Sequence, residues 1–324
     1  MIISRRDLMM TFALAACALP AGAQQAFPSR PVTLVVPFAA GGVVDVVARM
    51  VGQKMSIALG QPVVVENKPG AGGTIGATYV AKAKPDGYTI LLGGSATQVF
   101  GPALYKNLHY DAKKDFAPVG QISSGPLVLV TGSKVPAVDV AELTKYLKEQ
   151  GVRAFYASNG NGTFPHLAAE LFKQANKLST AHIPYSGGPA ALTALISGDV
   201  AFSINHIPVV QAMVKAGKIR ALATTGKKRS VAFPHLPTLD ESGMKGFEAN
   251  AWWGLFAPAG TAAGVVKQLN TALATALKDP AVRTALEAQG DEVAYSGPKD
   301  FAAFVQAESI KWTQVVKIAD LRLD

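Results

Sequence analysis

The sequence predicts an α/β protein of two intimately joined lobes, and three observations carry that prediction. From Pro31 onward, apolar runs rich in Val, Ile and Leu alternate with stretches of helical spacing. This is the pattern of mostly parallel strands joined by helical crossovers. The 324 residues exceed the usual size of one domain, yet no Gly/Ser-rich or Pro-rich linker divides them, so a loose pair of beads is not expected. The 31 glycines and 20 prolines follow no fixed period and fall between the patterned segments, which makes for many short connections.

The first lobe opens with a strand over 32–36, the loop Pro37 to Gly42 and a helix over 43–59. A strand at 63–65 leads through the loop Asn67 to Gly73 into a helix ending near Lys82, and Asp86-Gly87 turns into a buried strand at 88–92. Residues 128–130 read as another strand. From Asp139 a second series begins, with helices over 139–150, 164–176, 189–197 and 208–216. Strands over 153–157, 181–183, 200–204 and 219–225 interleave with them, and this is the second lobe. Asn250 to Ala257 is aromatic and extended. Helices over 262–278, 280–288 and 299–318 follow, with a short strand near 292–295.

Apolar residues make up 49% of the chain and charged ones 16%, which supports a stable core and excludes general disorder. The net charge is +9, but the densest basic run is Lys227-Lys228-Arg229. No basic stripe for nucleic acid exists. A basic average suits anionic small ligands, though it locates no site.

Arg5 and Arg6, the apolar stretch Leu8 to Leu19 and the triplet Ala21, Gly22, Ala23 have the layout of a signal peptide over 1–23. Export to the periplasm is expected, and the paired arginines resemble a twin-arginine signal. The export route stays open. Leu14 to Cys17 also resembles a lipoprotein box, so tethering through Cys17 is the alternative to soluble release after Ala23. After such cleavage no cysteine remains, and no disulfide chemistry is expected.

The five histidines, 109, 166, 182, 206 and 235, show no i, i+4 pair, so no metal site is predicted. Nucleophile elbows and phosphate loops of the common enzyme signatures are absent, and no cofactor is expected. Gly70, Gly72 and Gly76 lack the spacing of a dinucleotide fingerprint and read as a tight loop feeding a helix. The least unsuitable catalytic constellation is Ser186 with His166 or His206, and His166 itself reads as a packing or capping group.

A recurring feature is more informative. Three glycine-bearing loops each follow a strand and open a helix: Phe38-Ala39-Ala40-Gly41-Gly42, Ser158-Asn159-Gly160-Asn161-Gly162-Thr163, and Tyr185-Ser186-Gly187-Gly188. Such loops can hold a carboxylate or phosphate through main-chain N–H groups and the helix dipole, without Lys or Arg. In a parallel sheet they fall at the carboxyl ends of strands, where open α/β folds keep ligands. Asp45 in the first helical turn complements the dipole or meets a ligand donor. Thr163 and Ser186 are open between capping and ligand contact, Ser95 suggests a fourth loop, and Asn205 is open between a turn role and the cleft. Trp252 and Trp253 either floor the cleft or pack between the lobes.

Taken in order, these segments resemble the substrate-binding receptors of tripartite tricarboxylate transporters, the Bug receptors. The resemblance rests on Pro37 to Gly42 with Asp45, Ala48 and Arg49; on Val65 to Gly73; and on Pro85-Asp86-Gly87-Tyr88. It continues through Gly160 to Thr163 with His166-Leu167, Tyr185 with Gly188, Gly217 to Ala223, and Trp252 to Pro258. It implies a type II periplasmic binding protein, with lobe 1 over 24–125 plus 253–324, lobe 2 over 126–252 and crossings near 124–128 and 248–253. The loops at 38–42 and 158–163 would grip one carboxylate through main-chain N–H groups and ordered water. Where the family usually has Thr, Asn or Ser before the Asp, this chain has Val44, which points to a ligand with an apolar or aromatic body.

The resemblance further implies a monomer that captures a small organic carboxylate by lobe closure and hands it to membrane permease subunits, with no chemical step. Two alternatives carry the same or a nearby signature: an accessory ligand sensor for a two-component system, and a periplasmic hydrolase or transferase.

Overall fold

The computed structural model describes residues 27–323; the signal peptide, its cleavage site and Cys17 lie outside them. Among the described residues ten strands, numbered β1 to β10 in chain order, are connected in the order 63–67, 32–36, 89–94, 250–258, 116–132, 202–206, 155–158 and 181–184, with 219–224 and 292–296 both paired to 116–132. β1 (Val32–Val36), β2 (Val63–Asn67) and β3 (Thr89–Gly94) are mutually parallel in the first lobe. In the second lobe β5 (Phe155–Ser158), β6 (Ala181–Pro184) and β7 (Phe202–His206) are parallel as well.

The spine between the lobes is antiparallel, which corrects the expectation of mostly parallel sheets. β4 (Phe116–Gly132) pairs antiparallel with β9 (Asn250–Pro258) and β10 (Glu292–Ser296). Further on it pairs antiparallel with β7 and with β8 (Ile219–Thr224). Its partner changes from Asn250, opposite Pro126, to His206, opposite Leu127. A chain that leaves one lobe and returns to it must run both ways through the junction, so the two central strands oppose each other. Sequence reading found only 128–130 of β4, because Pro118, Gly120, Gly125 and Pro126 interrupt its apolar pattern. Register shifts between Pro118 and Gly120 and between Gln121 and Ser123 absorb the first of these residues, as bulges do for strand Pro and Gly.

The helices follow their apolar faces. α1 (Val43–Leu59) buries Val47, Ala48, Val51 and Met55 against Leu269, Ala272, Leu273 and Ala276 of α8 (Ala263–Ala276). Each such side chain contributes roughly 1.5–3 kcal/mol when fully buried. α2 (Thr74–Ala81) and the short α3 (Gly101–Leu104) complete the amino-terminal part of lobe 1. α4 (Val140–Gln150), α5 (Phe164–Asn176), α6 (Gly188–Ser197) and α7 (Ile207–Lys215) alternate with β5 to β8, and α9 (Pro280–Ala288) and α10 (Pro298–Ile318) flank β10. Trp312 of α10, Phe164 of α5 and Phe100 before α3 form a triangle of rings 5.2–5.4 Å apart. This apolar contact joins the lobes beside the cleft.

Candidate functional site

The carboxyl ends of β1, β3, β5 and β7 converge where the lobes meet, around a cavity of about 300 Å³. Phe38, Ser95, Asn159 and His206, which lie at the ends of these four strands or within two residues of them, all line it. The wall is strongly aromatic, with Phe100, Tyr105, Phe164, Trp252 and Trp253 as further members. Phe38 stands edge-on to Trp253 at 5.7 Å. Among the described residues no Lys or Arg lines the cavity, so charge complementarity has to come from dipoles.

Those dipoles are left available. The helices α1, α5 and α6 start after Gly42, Thr163 and Gly187, and none of the three starts has a side-chain cap. By contrast, α4 and α9 are capped by Asp139 and Asp279, at 2.8 and 2.9 Å. Uncapped N–H groups retain the partial positive charge of a helix start. Not every loop amide is available, however. Gly41 N–H donates to Asp45 Oδ2, Gly160 N–H to Ser158 Oγ and Gly162 N–H to His166 Nδ1. Among the described residues the amides of Ala39, Ala40, Gly42 and Asn161 have no such partner.

Asp45 faces its own loop. Its carboxylate accepts from Gly41 N–H at 2.9 Å, Arg49 Nε at 3.0 Å and Asn67 Nδ2 at 2.9 Å. The Arg49 hydrogen bond above all, helped by Gly41 and Asn67, holds its pKa down to about 2. Asn67 also donates to the Phe38 carbonyl, so this buried knot ties β2, the 38–42 loop and α1 together. Val44 packs against the lobe 1 core and is absent from the wall. The apolar character of the cavity comes from its aromatic residues instead.

The predicted residues therefore occupy distinct places. Phe38, Ser95, Asn159, Gly162 and Thr163 lie in the wall. Ala39, Ala40, Gly41 and Gly42 continue from Phe38 as an exposed rim. Ser158 is fully buried at the root of the second loop, where its Oγ meets Gly160 and His182. Asn205 is buried and exchanges amide hydrogen bonds with Asn159 at 3.1 and 3.2 Å. Tyr185, Ser186 and Gly187 stand beyond that loop and outside the wall, with Tyr185 N–H donating to the Ser158 carbonyl. Among the described residues neither His166 nor His206 hydrogen-bonds to Ser186, and burial holds His206 neutral, with its pKa down to about 4.

Sequence reading missed a large part of the wall. The segment Ala96–Phe100 is a π-helical turn that runs into α3, and it delivers Ala96, Phe100 and Leu104 to the cavity. Such turns concentrate at functional sites, yet no pattern in the sequence marks this one. Leu323 also lines the cavity, held by its N–H on the Leu104 carbonyl at 2.9 Å. Two polar atoms beside the cavity, Ser95 Oγ and Trp252 Nε1, are buried without a hydrogen-bond partner among the described residues, which is unusual in a folded protein.

Residues 47–321 match the family model described as tripartite tricarboxylate transporter family receptor. The chain belongs to this family. The family is periplasmic, and its members are solute-binding receptors. Protein BugT of Bordetella pertussis is 36% identical over 312 residues, covering 96% of this chain and 95% of BugT. An R. palustris protein solved with adipate superimposes with a TM-score of 0.77 at 35% identity, covering 91% of this chain and 99% of that one. MatC of Rhodopseudomonas palustris, solved with bound malate, gives a TM-score of 0.73 at 37% identity over 90% of this chain and all of MatC. These likenesses agree with the two-lobed α/β receptor architecture, and among the described residues no helix is long and apolar enough to cross a membrane.

Proposed function

We propose that this receptor captures a small organic carboxylate with an apolar or aromatic body and delivers it to the permease subunits of a tripartite transporter. The single observation that carries the reading is the cavity itself: aromatic walls, no Lys or Arg among the described residues, and uncapped helix starts at the loops around it. A carboxylate at the 38–42 and 158–163 loops exchanges water for main-chain N–H groups, while the rest of the ligand buries against Phe38, Phe100 and Trp253. The adipate and malate of the R. palustris structures support the carboxylate class.

In this reading lobe 1 comprises 24–125 with 253–324, lobe 2 comprises 126–252, and binding selects the closed arrangement. The protein is a monomer exported on residues 1–23, and it performs no chemical step. A sensor accessory role shares the same site and differs only in the membrane partner.

Thermal denaturation with adipate, malate, benzoate and phenylacetate, alongside glycine and phosphate, tests the reading. A ligand at a hundredfold its Kd stabilises by about 2.7 kcal/mol, so one acid should raise Tm by several degrees and be recovered unchanged. A panel with no stabilising acid, or an acid that is consumed, would overturn it.

A further inference from the structure

A stacked pair of imidazoles lies directly behind the 158–163 loop. The rings of His166 on α5 and His182 on β6 are 3.9 Å apart and within 13° of parallel, with Tyr156 of β5 stacked on His182 at 4.8 Å. His166 Nδ1 accepts the Gly162 N–H at 3.1 Å. His182 Nε2 lies 2.7 Å from Ser158 Oγ, and that oxygen accepts the Gly160 N–H at 3.1 Å. The pair therefore holds both ends of a loop whose Asn159, Asn161, Gly162 and Thr163 face the cavity.

Chemistry restricts the form of the pair. An imidazole that accepts at Nδ1 carries its proton on Nε2 and is neutral. Burial foremost, then the Lys173 cation, depresses His166 to about 4; burial foremost, then His166, does the same for His182. The nearby anion, Glu170, is already engaged by the Tyr156 hydroxyl and by Lys173 Nζ at 2.8 Å. Neither ring lines the cavity, so neither is placed to touch a ligand there.

We propose that His166 and His182 are positioning residues, neutral imidazoles that fix both ends of the lobe 2 loop and thereby point its remaining amides at the bound carboxylate. This rests on the receptor reading above. Asn at 166 can offer Oδ1 close to the place of Nδ1, and Gln at 182 can offer its side-chain amide to Ser158 Oγ in place of Nε2, whereas Leu offers neither.

The test measures amide hydrogen exchange by NMR in the ligand-free protein, and adipate binding by calorimetry. His166→Leu should speed exchange of the Gly162 amide about tenfold or more, the worth of one lost hydrogen bond, while His166→Asn stays within about threefold of wild type. At the Gly160 amide, whose acceptor is Ser158 Oγ, His182→Leu should speed exchange about threefold by releasing that hydroxyl, and His182→Gln should leave it at the wild-type rate. Adipate affinity should fall about tenfold in the two Leu variants and recover in the amide variants. Equal exchange in the Leu and amide variants, or an unmoved Gly162 amide in His166→Leu, overturns the anchoring of the loop. Affinity that ignores both Leu variants overturns the positioning role. A wild-type protein that stabilises with no organic acid removes the receptor reading itself, an outcome separate from the exchange data.

Discussion

Gly162→Ala combines two costs of different origin, one in the loop itself and one across the cleft. Gly162 has φ +72°, and an L-residue in that region costs about 1–2 kcal/mol. This strain belongs to the loop itself, so it lowers the stability of the ligand-free protein by roughly 2–4 °C in Tm. The second cost is contact across the cleft. A Cβ at 162 would stand 2.6 Å from Leu323 Cδ1 and 2.9 Å from Leu104 Cδ1, both on lobe 1. These ends of flexible side chains yield by leaving their rotamers, at roughly 0.5–1.5 kcal/mol each. Because binding is proposed to select the closed arrangement, this contact across the cleft is felt on binding, as an adipate Kd about 5- to 150-fold weaker. Leu323→Ala in the same chain removes the nearer obstacle and should return part of the affinity but none of the lost Tm. Gly42→Ala is the control, because Gly42 has φ −75° and an added Cβ meets only the Ala39 carbonyl oxygen at 3.4 Å. Calorimetry and thermal denaturation on wild type, Gly162→Ala, Leu323→Ala and the double variant complete a double-mutant cycle. If Leu323→Ala recovers no affinity, the bound state lacks this interlobe contact and the reasoning fails.

Two further predictions concern buried carboxyls. Burial raises Asp291 to about 7 despite its hydrogen bond from Ser123 Oγ. Its stabilising contribution is therefore whole below the ordinary value of 3.8 and lost as pH rises through 7. Asp291→Asn should melt above wild type at pH 8 and converge with it near pH 4, and parallel Tm curves would refute the assignment. Asp45 behaves in the opposite sense: its depressed pKa of about 2 makes its contribution whole above about pH 4 and lost as pH falls towards 2. Asp45→Asn should flatten that acid limb and weaken adipate binding severalfold by loosening the 38–42 loop, without contact to the ligand. An unchanged Tm profile between pH 2 and 5 would count against the knot around Asp45.

Much of the fold was legible because local pattern and global fold agree. α5 begins and ends where its spacing predicts, at Phe164 and Asn176, and the α1 face carrying Val47, Val51 and Met55 is readable from its period. The loops were legible for a similar reason, since glycines between a strand and a helix announce the turn. The spine was not: β4 is held by pairing with four other strands, and pairing overrides the Pro and Gly that make the segment read as a break. Local sequence also gave no means to see that the Gly162 amide is spent on His166, because an acceptor four residues on is a matter of ring orientation.

The order of strands and helices, the placement of glycine turns before helix starts and the family resemblance were determined by sequence alone, since each depends on neighbours along the chain. The composition of the cavity was decided only in three dimensions. Phe38, Ser95, Asn159, Trp253 and Leu323 are separated by as many as 285 positions, and they share one wall because the ends of parallel strands, the antiparallel spine and the segment after the last helix meet at one junction. Which amides face that wall is likewise tertiary, because each is either free or already held by a side chain that only folding brings near.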